Sequence, residues 1–481
     1  MASSRRSGRP EAPVDAAVAE ALRRLPDRSM LLVAFSGGRD STVLLDALVR
    51  LHGAGQIVAW HVHHGLQPQA DQWLVACERA AARLGVRFGH SRLGPAPAAG
   101  ANLEAWARDA RYEALWRAVA ACGAAALLTA HHADDQLETV FMRLARGSGP
   151  EGLGAMAPAE HRPGGWLLRP LLAVGRDAVE ACARARDLEW IEDPMNADEA
   201  FLRATLRARV LPALASAVPG LRENVLRSAA LLRETGEALR AAAQADLAAA
   251  GLGADLRAID RCALAALPPF RRNESVREWF RLLGLPMPTQ ARLAQWVAQM
   301  LTGGSASASV EAPPWRFRRY RDRVSAEPAG ARDWRRDPPP PVALRWRGEP
   351  VIELPGWAGR LSVRASAGPG AVDAAWLATE PLEVRSPPAG ARLRPRRGGP
   401  SRTLKNLYQE RGVPPWLRAA MPAVFAGDRL IYAAGIGMDA SAPGAAAPDE
   451  PAGGRRRVCL HWRPDDPEDP RSAGFEPAAA V

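Results

Sequence analysis

The chain of 481 residues contains few cysteines and no long hydrophobic run. Its five cysteines stand apart, without a Cys-x-x-Cys pair, so neither a disulfide framework nor a cysteine metal site is predicted. No stretch approaches the roughly 18 consecutive apolar residues of a membrane-spanning helix. Reduced cysteines and the absence of a membrane segment favour a cytoplasmic protein that does not associate with a membrane.

Lysine is also scarce, since Lys405 is the single example and arginine supplies the remaining basic charge. Lys and Arg together number 63 against 52 Asp and Glu, which gives a net charge of +11. This excess predicts a polyanionic partner such as a nucleic acid. A coding bias towards arginine is the simpler cause of part of it, so no single arginine carries much weight alone.

The most informative stretch covers residues 30–51. Residues 31–35 are uniformly apolar, which is typical of a strand buried on both faces. Ser36-Gly37-Gly38 breaks this run, and apolar residues then recur at helical spacing from Arg39 onward. A strand, a glycine turn and a helix in this order gather free backbone N–H groups and the positive end of the helix at one point. The stretch therefore predicts a phosphate-binding site.

This loop is not GxxxxGK[ST], because no lysine follows the glycines, and it is also not GxGxxG. Residues 36–41 read SGGRDS, and SGGxDS resembles the pyrophosphate loop of the N-type ATP pyrophosphatases. The resemblance implies cleavage of ATP between its α- and β-phosphates and adenylation of a carbonyl oxygen. An ordinary glycine turn is the alternative.

Two polar clusters follow later predicted strands. His61, His63 and His64 invite a zinc site, but no cysteine or carboxylate set accompanies them at ligand spacing. The end of a strand beside the crevice of a parallel sheet instead predicts a place for adenosine. Asp135 and Glu138 lie three residues apart at the start of a predicted helix, so both can point at one ammonium or magnesium ion. Helix capping is the alternative for these acids.

Six motifs together carry a specific resemblance: SGGRDS, HVHHGL, AHHADDQLET, RGSGPEGL, RPLL and EDPMN. Their order and spacing over residues 31–212 resemble the tRNA(Ile)-lysidine synthetases. The resemblance implies that ATP adenylates C2 of the wobble cytidine in the CAU anticodon of tRNA(Ile). Free L-lysine then displaces AMP to give lysidine, which changes decoding from AUG to AUA.

The same resemblance implies roles for individual residues. ATP would be bound by Ser36, Gly37, Gly38, Arg39, Asp40, Ser41 and His61, with Asp40 also placing Mg²⁺. Catalysis would rest on Asp40, Asp135 and Arg146. Lysine and tRNA would be bound by Asp135, Glu138, Arg108, Arg111, Arg203, Arg207, Arg394 and Lys405. Where the family commonly has Arg-Asn before its last arginine, residues 201–207 of this chain read FLRATLR. The missing asparagine leaves Arg203 and Arg207 usable but weakens any detailed role for that segment.

The domain organisation is predicted from changes in composition. We expect a parallel α/β PP-loop domain over 1–215, a helical domain over 216–325 and a Pro-rich linker over 326–380. A small basic α+β domain over 381–465 and a disordered tail over 466–481 would follow. Residues 315–321 alternate aromatics with arginines, which suits either RNA contact or an amphipathic strand. A homodimer is a further expectation.

Two other functions remain open at this point. One is another PP-loop enzyme that modifies tRNA, such as a thiolase, which would need catalytic or cluster cysteines. The other is a basic RNA-binding protein without catalysis, in which the loop or the acidic pair should have decayed. The isolated cysteines argue against the first function, and the intact loop and acidic pair argue against the second.

Overall fold

The computed structural model describes residues 9–63, 65, 69–94, 103–192, 202–305, 307–331, 336–366, 370–443, 445, 456–466 and 471. The chain divides into two compact units, Met1–Ala245 and Asp246–Val481. No helix in these described ranges is long and apolar enough to cross a membrane. His64, residues 193–196 of the EDPMN motif and most of the predicted tail lie outside the described residues.

The first unit is built on a six-stranded sheet. Its strands are β1 Leu31–Ala34, β2 Ile57–His63, β3 Arg87–Arg92, β4 Ala126–Leu128, β5 Ala159–Arg162 and β6 Gly165–Leu168. Their order is β3-β2-β1-β4-β6-β5, and every neighbouring pair is parallel except β5 with β6. Leu31, Leu32 and Val33 are fully buried, as expected for a central strand covered on both faces.

Helices cover both faces of this sheet. The helices of this part of the chain are α1 Ala12–Leu22, α2 Arg39–His52, α3 Ala70–Arg83, α4 Leu103–Cys122, α5 Ala133–Ala145, α6 Pro150–Leu153, α7 Arg176–Ala185, α8 Leu202–Thr205, α9 Leu211–Ala217 and α10 Leu221–Ala249. A π-helical turn, Leu206–Val210, joins α8 to α9. Leu31 packs in one core with Leu44 of α2, whereas Leu32 packs in the other with Leu115 of α4. The alternation of side chains along β1 therefore builds two cores from one strand.

The connections of β1 and β4 create a crevice. From β1 the chain proceeds through β2 to β3 on one side, and then returns to place β4 on the other side of β1. Ligands of open parallel sheets bind at such a switch point, beyond the carboxyl ends of the strands. Helices α2 and α5 begin there, one after β1 and the other after β4. The topology thus brings the glycine loop and the acidic helix together.

The second unit begins with helices and a four-stranded antiparallel sheet. Its elements are β7 Ala258–Asp260, α11 Arg261–Ala265, α12 Pro269–Leu282, α13 Gln290–Val297, β8 Ser307–Ala312, β9 Trp315–Tyr320 and β10 Arg323–Pro328. The strand order is β7-β10-β9-β8. Trp279, Trp296 and Phe317 pack edge to face in its core. Residues 216–325, expected to be helical, therefore also contain strands.

The arginines of β9 are held within this sheet. Arg319 is only 1% exposed, and its guanidinium donates hydrogen bonds to the carbonyl oxygens of Gly303 (2.9 Å) and Ser305 (2.6 Å). Arg318 pairs with Glu327 at 2.6 Å. These contacts favour the amphipathic strand over the RNA contact for residues 315–321.

The remainder of the second unit contains two larger sheets. Its elements are β11 Val342–Leu344, β12 Val351–Leu354, β13 Gly359–Ala365, β14 Val372–Asp373, α14 Ala374–Thr379, β15 Leu382–Arg385, β16 Arg392–Leu393, β17 Arg402–Thr403, α15 Leu404–Glu410, β18 Ala423–Ala426, β19 Arg429–Ala433, β20 Gly437–Met438 and β21 Arg457–Pro464. The sheet orders are β11-β15-β18-β19-β20 and β12-β13-β21-β14, and β16 and β17 pair with each other.

The structure differs here from two expectations. Residues 326–380 are not a linker for most of their length, because β11 to β14 pair with later strands that the local proline content does not reveal. The tail expected over 466–481 includes a buried residue, Arg471. Its Nη1 donates to the carbonyl oxygen of Trp357 at 2.8 Å, and its guanidinium carbon lies 5.0 Å from the ring centroid of Trp462.

Candidate active site

A pocket of about 660 Å³ opens beyond the carboxyl ends of β1, β2 and β4. It collects much of the predicted site, and the predicted residues that line it are Ser36, Gly38, Arg39, Asp40, Ser41, His61, Arg111, Asp135 and Arg207. Trp60, Trp73 and Trp190 also line it. Aromatic and polar side chains therefore surround a space with cations and carboxylates at its walls.

The glycine loop has a conformation that only glycine permits at Gly37. This residue has φ +80°, and a Cβ there would lie 2.6 Å from Ile191 Cδ1 and 2.7 Å from Cys77 Sγ. Gly38 is the N-cap of α2 and brings no side-chain acceptor, so N–H groups of the first turn are left for a ligand. The Ser36 and Ser41 hydroxyl oxygens lie 3.1 Å apart. The loop thus presents backbone N–H donors to an anion beside two hydroxyls, of which that of Ser41 also donates to the carbonyl oxygen of Gly38 at 2.9 Å.

His61 joins the ends of two neighbouring strands. Its Nδ1 lies 3.0 Å from the carbonyl oxygen of Phe35, directly after β1, and its side chain is buried while lining the pocket. Nearby His63 pairs with Asp71 at 3.3 Å. No group of three or more His, Cys, Asp or Glu that could hold a metal ion occurs among the described residues.

Asp40 is the ionised carboxylate of the loop. Its Oδ1 accepts a hydrogen bond from Arg39 Nε at 3.0 Å, and its Oδ2 lies 3.5 Å from His132 Nε2. Burial raises the pKa of Asp40, but the hydrogen bond and charge of His132, together with Arg39, outweigh burial and hold that pKa below its ordinary value. The carboxylate is one-third exposed and lines the pocket.

His132 connects the loop to α5. It is the N-cap of that helix: its Nδ1 accepts from the Asp135 N–H at 3.4 Å, while Asp135 Oδ2 accepts from the His132 N–H at 2.9 Å. Burial lowers the pKa of His132, but Asp40, Asp135 and Asp134 more than compensate and raise it. The sequence interpretation missed this role, although an acid three residues after a cap residue is the signal of a capping box.

The acidic pair is already neutralised by arginines. Glu138, only 1% exposed, accepts from Arg203 Nε at 2.6 Å and from Arg207 Nε at 2.7 Å. Asp135 Oδ1 accepts from Arg203 Nη2 at 2.9 Å. The expectation that both carboxylates point at one small cation therefore differs from the structure, in which Asp135 lines the pocket and Glu138 lies behind it.

Asp134 fixes the neighbouring helices. Its Oδ2 accepts from the backbone N–H of Arg176 at 2.8 Å and from Arg222 Nη1 at 3.3 Å. These bonds hold the starts of α7 and α10 beside the start of α5.

At the other end of α5, Arg143 donates to the carbonyl oxygens of Gly152 (2.6 Å) and Ala155 (3.0 Å), which shapes the RGSGPEGL loop.

Several predicted residues are not among those that line the pocket. Arg146 is the exposed C-cap of α5, about 20 Å along the helix from its start at 1.5 Å per residue. Arg108 is exposed, with its guanidinium carbon 5.9 Å from the Tyr112 ring centroid. Arg394 and Lys405 belong to the second unit, where Lys405 is exposed on α15. A catalytic role for Arg146 is therefore not supported by its position.

The sheet is parallel apart from its edge strand, a Ser-Gly-Gly loop follows its central strand β1, and an acidic helix follows the neighbouring strand β4. This arrangement defines an ATP-binding PP-loop domain. A family model described as PP-loop domain matches residues 11–214. Models described as TilS substrate binding domain and TilS substrate C-terminal domain match residues 260–325 and 382–454. The prediction of a parallel PP-loop domain is confirmed.

Relatives that match over most of the chain identify the family within this class of PP-loop proteins. The chain is 43% identical to tRNA(Ile)-lysidine synthase of Burkholderia pseudomallei, covering 93% of this chain and 96% of the relative. The same protein of Ralstonia nicotianae is 41% identical over 85% and 89%, and that of Escherichia coli O157:H7 is 37% identical over 86% and 93%. The chain belongs to the tRNA(Ile)-lysidine synthase family, as its motifs predict.

Proposed function

We propose that this protein ligates free L-lysine to C2 of the wobble cytidine of tRNA(Ile) with a CAU anticodon. ATP is the activating substrate, AMP and pyrophosphate are products, and the tRNA changes from decoding AUG to decoding AUA. The observation that carries this proposal is the meeting of the Ser-Gly-Gly loop and Asp135 at one pocket. The names of the relatives supply the tRNA and the modification.

The first chemical step would be adenylation of the tRNA. The cytidine O2 attacks the α-phosphorus of ATP, the bond from that phosphorus to the α,β-bridging oxygen breaks, and its electron pair leaves with pyrophosphate. Donors from Ser36, Ser41 and the first turn of α2 would hold the phosphates. Asp40 supports this step, because its lowered pKa keeps it charged at neutral pH.

Asp40 would also be the protein ligand of Mg²⁺. A protein site for Mg²⁺ commonly supplies one or two carboxylates while substrate phosphates supply other oxygens, and one carboxylate beside two hydroxyls fits that pattern. Bound there, the ion supplies neutralisation of polyphosphate charge. The protein itself orients the carboxylate through Arg39 and His132.

The second step would be attack by the lysine amine. The new C2–N bond forms, the C2–O bond to the adenylate breaks, and AMP leaves with that electron pair. The amine loses one proton to become nucleophilic and another after the bond forms, and both pass to solvent. Asp135, which lines the pocket, would bind the ammonium, while Glu138 would act from behind by orienting Arg203 and Arg207.

The remaining predicted basic residues would bind the tRNA backbone. Arg108 and Arg146 are exposed in the first unit, and Lys405 is exposed in the second. Arg111 lines the pocket itself, where it can meet the phosphates of the anticodon nucleotides. Arg394 follows the short strand β16 in the arginine-rich segment.

The proposal is tested with purified protein, ATP, Mg²⁺, lysine and a tRNA(Ile) transcript with a CAU anticodon. We expect mass spectrometry of the wobble nucleoside to show the addition of lysine with loss of water. Omitting lysine should leave an adenylated tRNA, and a transcript with a UAU anticodon should stay unchanged. Uptake of sulfur instead would identify a thiolase, and an unmodified nucleoside would leave only RNA binding.

A further inference from the structure

The Ser-Gly-Gly loop itself provides no unpaired cationic side chain for the phosphates of ATP. No lysine follows its glycines, and its own arginine, Arg39, is engaged by Asp40 at 3.0 Å and by Glu180 at 3.3 Å. Departure of pyrophosphate nevertheless concentrates negative charge on the oxygen that leaves the α-phosphorus. A group that offsets this charge accelerates the step. A cationic side chain that assists Mg²⁺ in this role would therefore come from another part of the pocket.

Arg176, at the start of α7, is an arginine that can meet this need. It lines the same pocket as Ser36, Gly38 and Ser41, and its guanidinium has no hydrogen bond or ion pair within the part of the chain that the structure describes. Arg207, by contrast, is engaged by Glu138. Arg176 is therefore available to an anionic ligand.

The neighbouring carboxylates do not neutralise Arg176, because other arginines already bind them. Arg222 pairs with Asp134 at 3.3 Å and with Asp177 at 2.9 Å. Glu180 pairs with Arg39 and also with Arg184. Asp134, Asp177 and Glu180 are thereby satisfied without Arg176.

The helix places Arg176 on the loop side of the pocket. Arg176 and Glu180 are four residues apart on α7 and share a face. Glu180 contacts Arg39, the first residue of α2, so this face of α7 lies along the start of the loop helix. The backbone N–H of Arg176 is anchored by Asp134. The backbone of Arg176 is therefore held in place, while its guanidinium remains available to a ligand.

We propose that Arg176 binds the β- and γ-phosphates of ATP and the pyrophosphate that leaves. The assignment rests on the proposed function, in which the O2–Pα bond forms while the bond from Pα to the bridging oxygen breaks. The electron pair moves onto that oxygen of pyrophosphate. The guanidinium offsets the charge with planar N–H donors that match two phosphate oxygens. Arg176 is thus a further catalytic residue that no motif of the sequence reveals.

The test compares Arg176→Gln with Arg184→Gln in the full-length protein. Both changes remove one positive charge from α7, but Arg184 is exposed, pairs with Glu180 and does not line the pocket. Calorimetry would measure the binding of inorganic pyrophosphate with Mg²⁺, of AMP and of tRNA. We expect Arg176→Gln to weaken pyrophosphate binding by roughly ten- to a hundredfold, with AMP and tRNA binding unchanged. Arg184→Gln should leave all three within about twofold of wild type.

Equal pyrophosphate binding by Arg176→Gln and wild type would overturn the assignment, as would an equal loss of AMP binding. A loss confined to tRNA would make Arg176 an RNA contact. If Arg176→Gln does not fold, Arg176→Lys replaces it: the charge remains but the paired donors are lost, so an intermediate affinity is expected and a wild-type affinity would overturn the proposal. Because no turnover is needed, a protein that forms no lysidine could still show the pyrophosphate effect, which separates this assignment from the proposed function.

Discussion

Arg207 binds the carboxylate of Glu138 through both oxygens, with Nε 2.7 Å from Oε1 and Nη2 3.0 Å from Oε2. This two-point contact is the strongest geometry available to an arginine and a carboxylate. Since Glu138 is buried, its charge is compensated by protein rather than by water. In the proposed function an incoming lysine would therefore meet Asp135 at the pocket wall, and the contribution of Glu138 would be to hold the arginines.

Replacing Glu138 by glutamine should cost stability more than lysine affinity. The change leaves Arg203 and Arg207 without their buried counter-charge, and we expect unfolding to become easier by about 2–4 kcal/mol. Thermal melting and a lysine titration of lysidine formation would measure both effects. Asp135→Asn is the comparison and should raise the lysine requirement by roughly tenfold. An unchanged melting temperature with a higher lysine requirement for Glu138→Gln would restore direct binding of lysine by both acids.

Asp40→Asn should fold normally and lose adenylation. The amide keeps the shape of the side chain but removes the charge that faces the pocket and would bind Mg²⁺. We expect the rate of pyrophosphate release with tRNA present to fall on the order of a hundredfold or more. Near-normal ATP–pyrophosphate exchange by the variant would remove Asp40 from the catalytic site.

Gly37→Ala should disrupt the loop by steric contact. A Cβ at this position would overlap Ile191 Cδ1 at 2.6 Å and Cys77 Sγ at 2.7 Å. Gly123→Ala is the matched control, because Gly123 also has a positive φ (62°) but no atom within 4 Å of the added carbon. The control should cost only about 1 kcal/mol of backbone strain, whereas Gly37→Ala should also weaken ATP binding by roughly tenfold or more. Equal ATP affinities would contradict the described packing.

His132 should make the stability of the first unit depend on pH. Its folded-state pKa is raised above the ordinary value, so its stabilising charge is fully present below about pH 6.5 and is lost as pH rises through the folded pKa. The difference in melting temperature between wild type and His132→Gln should therefore shrink from pH 6 towards alkaline pH. A difference that stays constant or grows would show that His132 acts as a neutral cap only.

The basic hairpin between β16 and β17 should contribute to salt-dependent tRNA binding. Arg396 and Arg397 are exposed in this connection. Replacing both by glutamine should reduce the slope of log affinity against log salt by up to about 2, since each lost phosphate contact removes roughly 0.7–0.9. Substituting the exposed Arg345 and Arg347 in the same way gives an equal charge change elsewhere in the unit. Identical slopes for the two double variants would argue against a tRNA contact at the hairpin.

A truncation before β15 would not answer the same question. β11 pairs with β15, and β13 pairs with β21, so removing residues after 381 leaves β11 without its partner and opens one edge of β13. Reduced tRNA binding by such a fragment would report unfolding as well as lost charge. Side-chain substitutions in the hairpin avoid this problem.

The loop and its sheet could be predicted from the sequence because their signals are local. An apolar run, three small residues and a helical pattern stand next to one another in residues 30–51, and each decides the conformation of its own segment. Arg146 was misplaced for a related reason: its motif follows the acidic cluster in sequence, but α5 carries it to the other end of a helix. Residues that follow closely in sequence are far apart in space when they lie at opposite ends of the 13-residue helix α5.

Contacts between distant segments could not be predicted in this way. Glu138 can pair with Arg207 because the π-helical turn after α8 lies beside α5. No local sequence pattern predicts this contact between distant segments. Within residues 342–373, β11, β13 and β14 each pair with a strand that lies far along the chain. The prolines correctly indicated that the chain is interrupted between these strands, but they did not indicate which strands pair.

The pairing of β13 with β21 has a consequence for biosynthesis. All the strands from β14 to β20 are made between these two neighbours, so the hairpin of β12 and β13 leaves the ribosome with one edge open until β21 follows. The sheet of the first unit has all its strands once Leu168 has been made. The nascent chain therefore holds a nearly complete nucleotide-binding half beside an unfinished half with an exposed strand edge, and that edge is where a chaperone has most to protect.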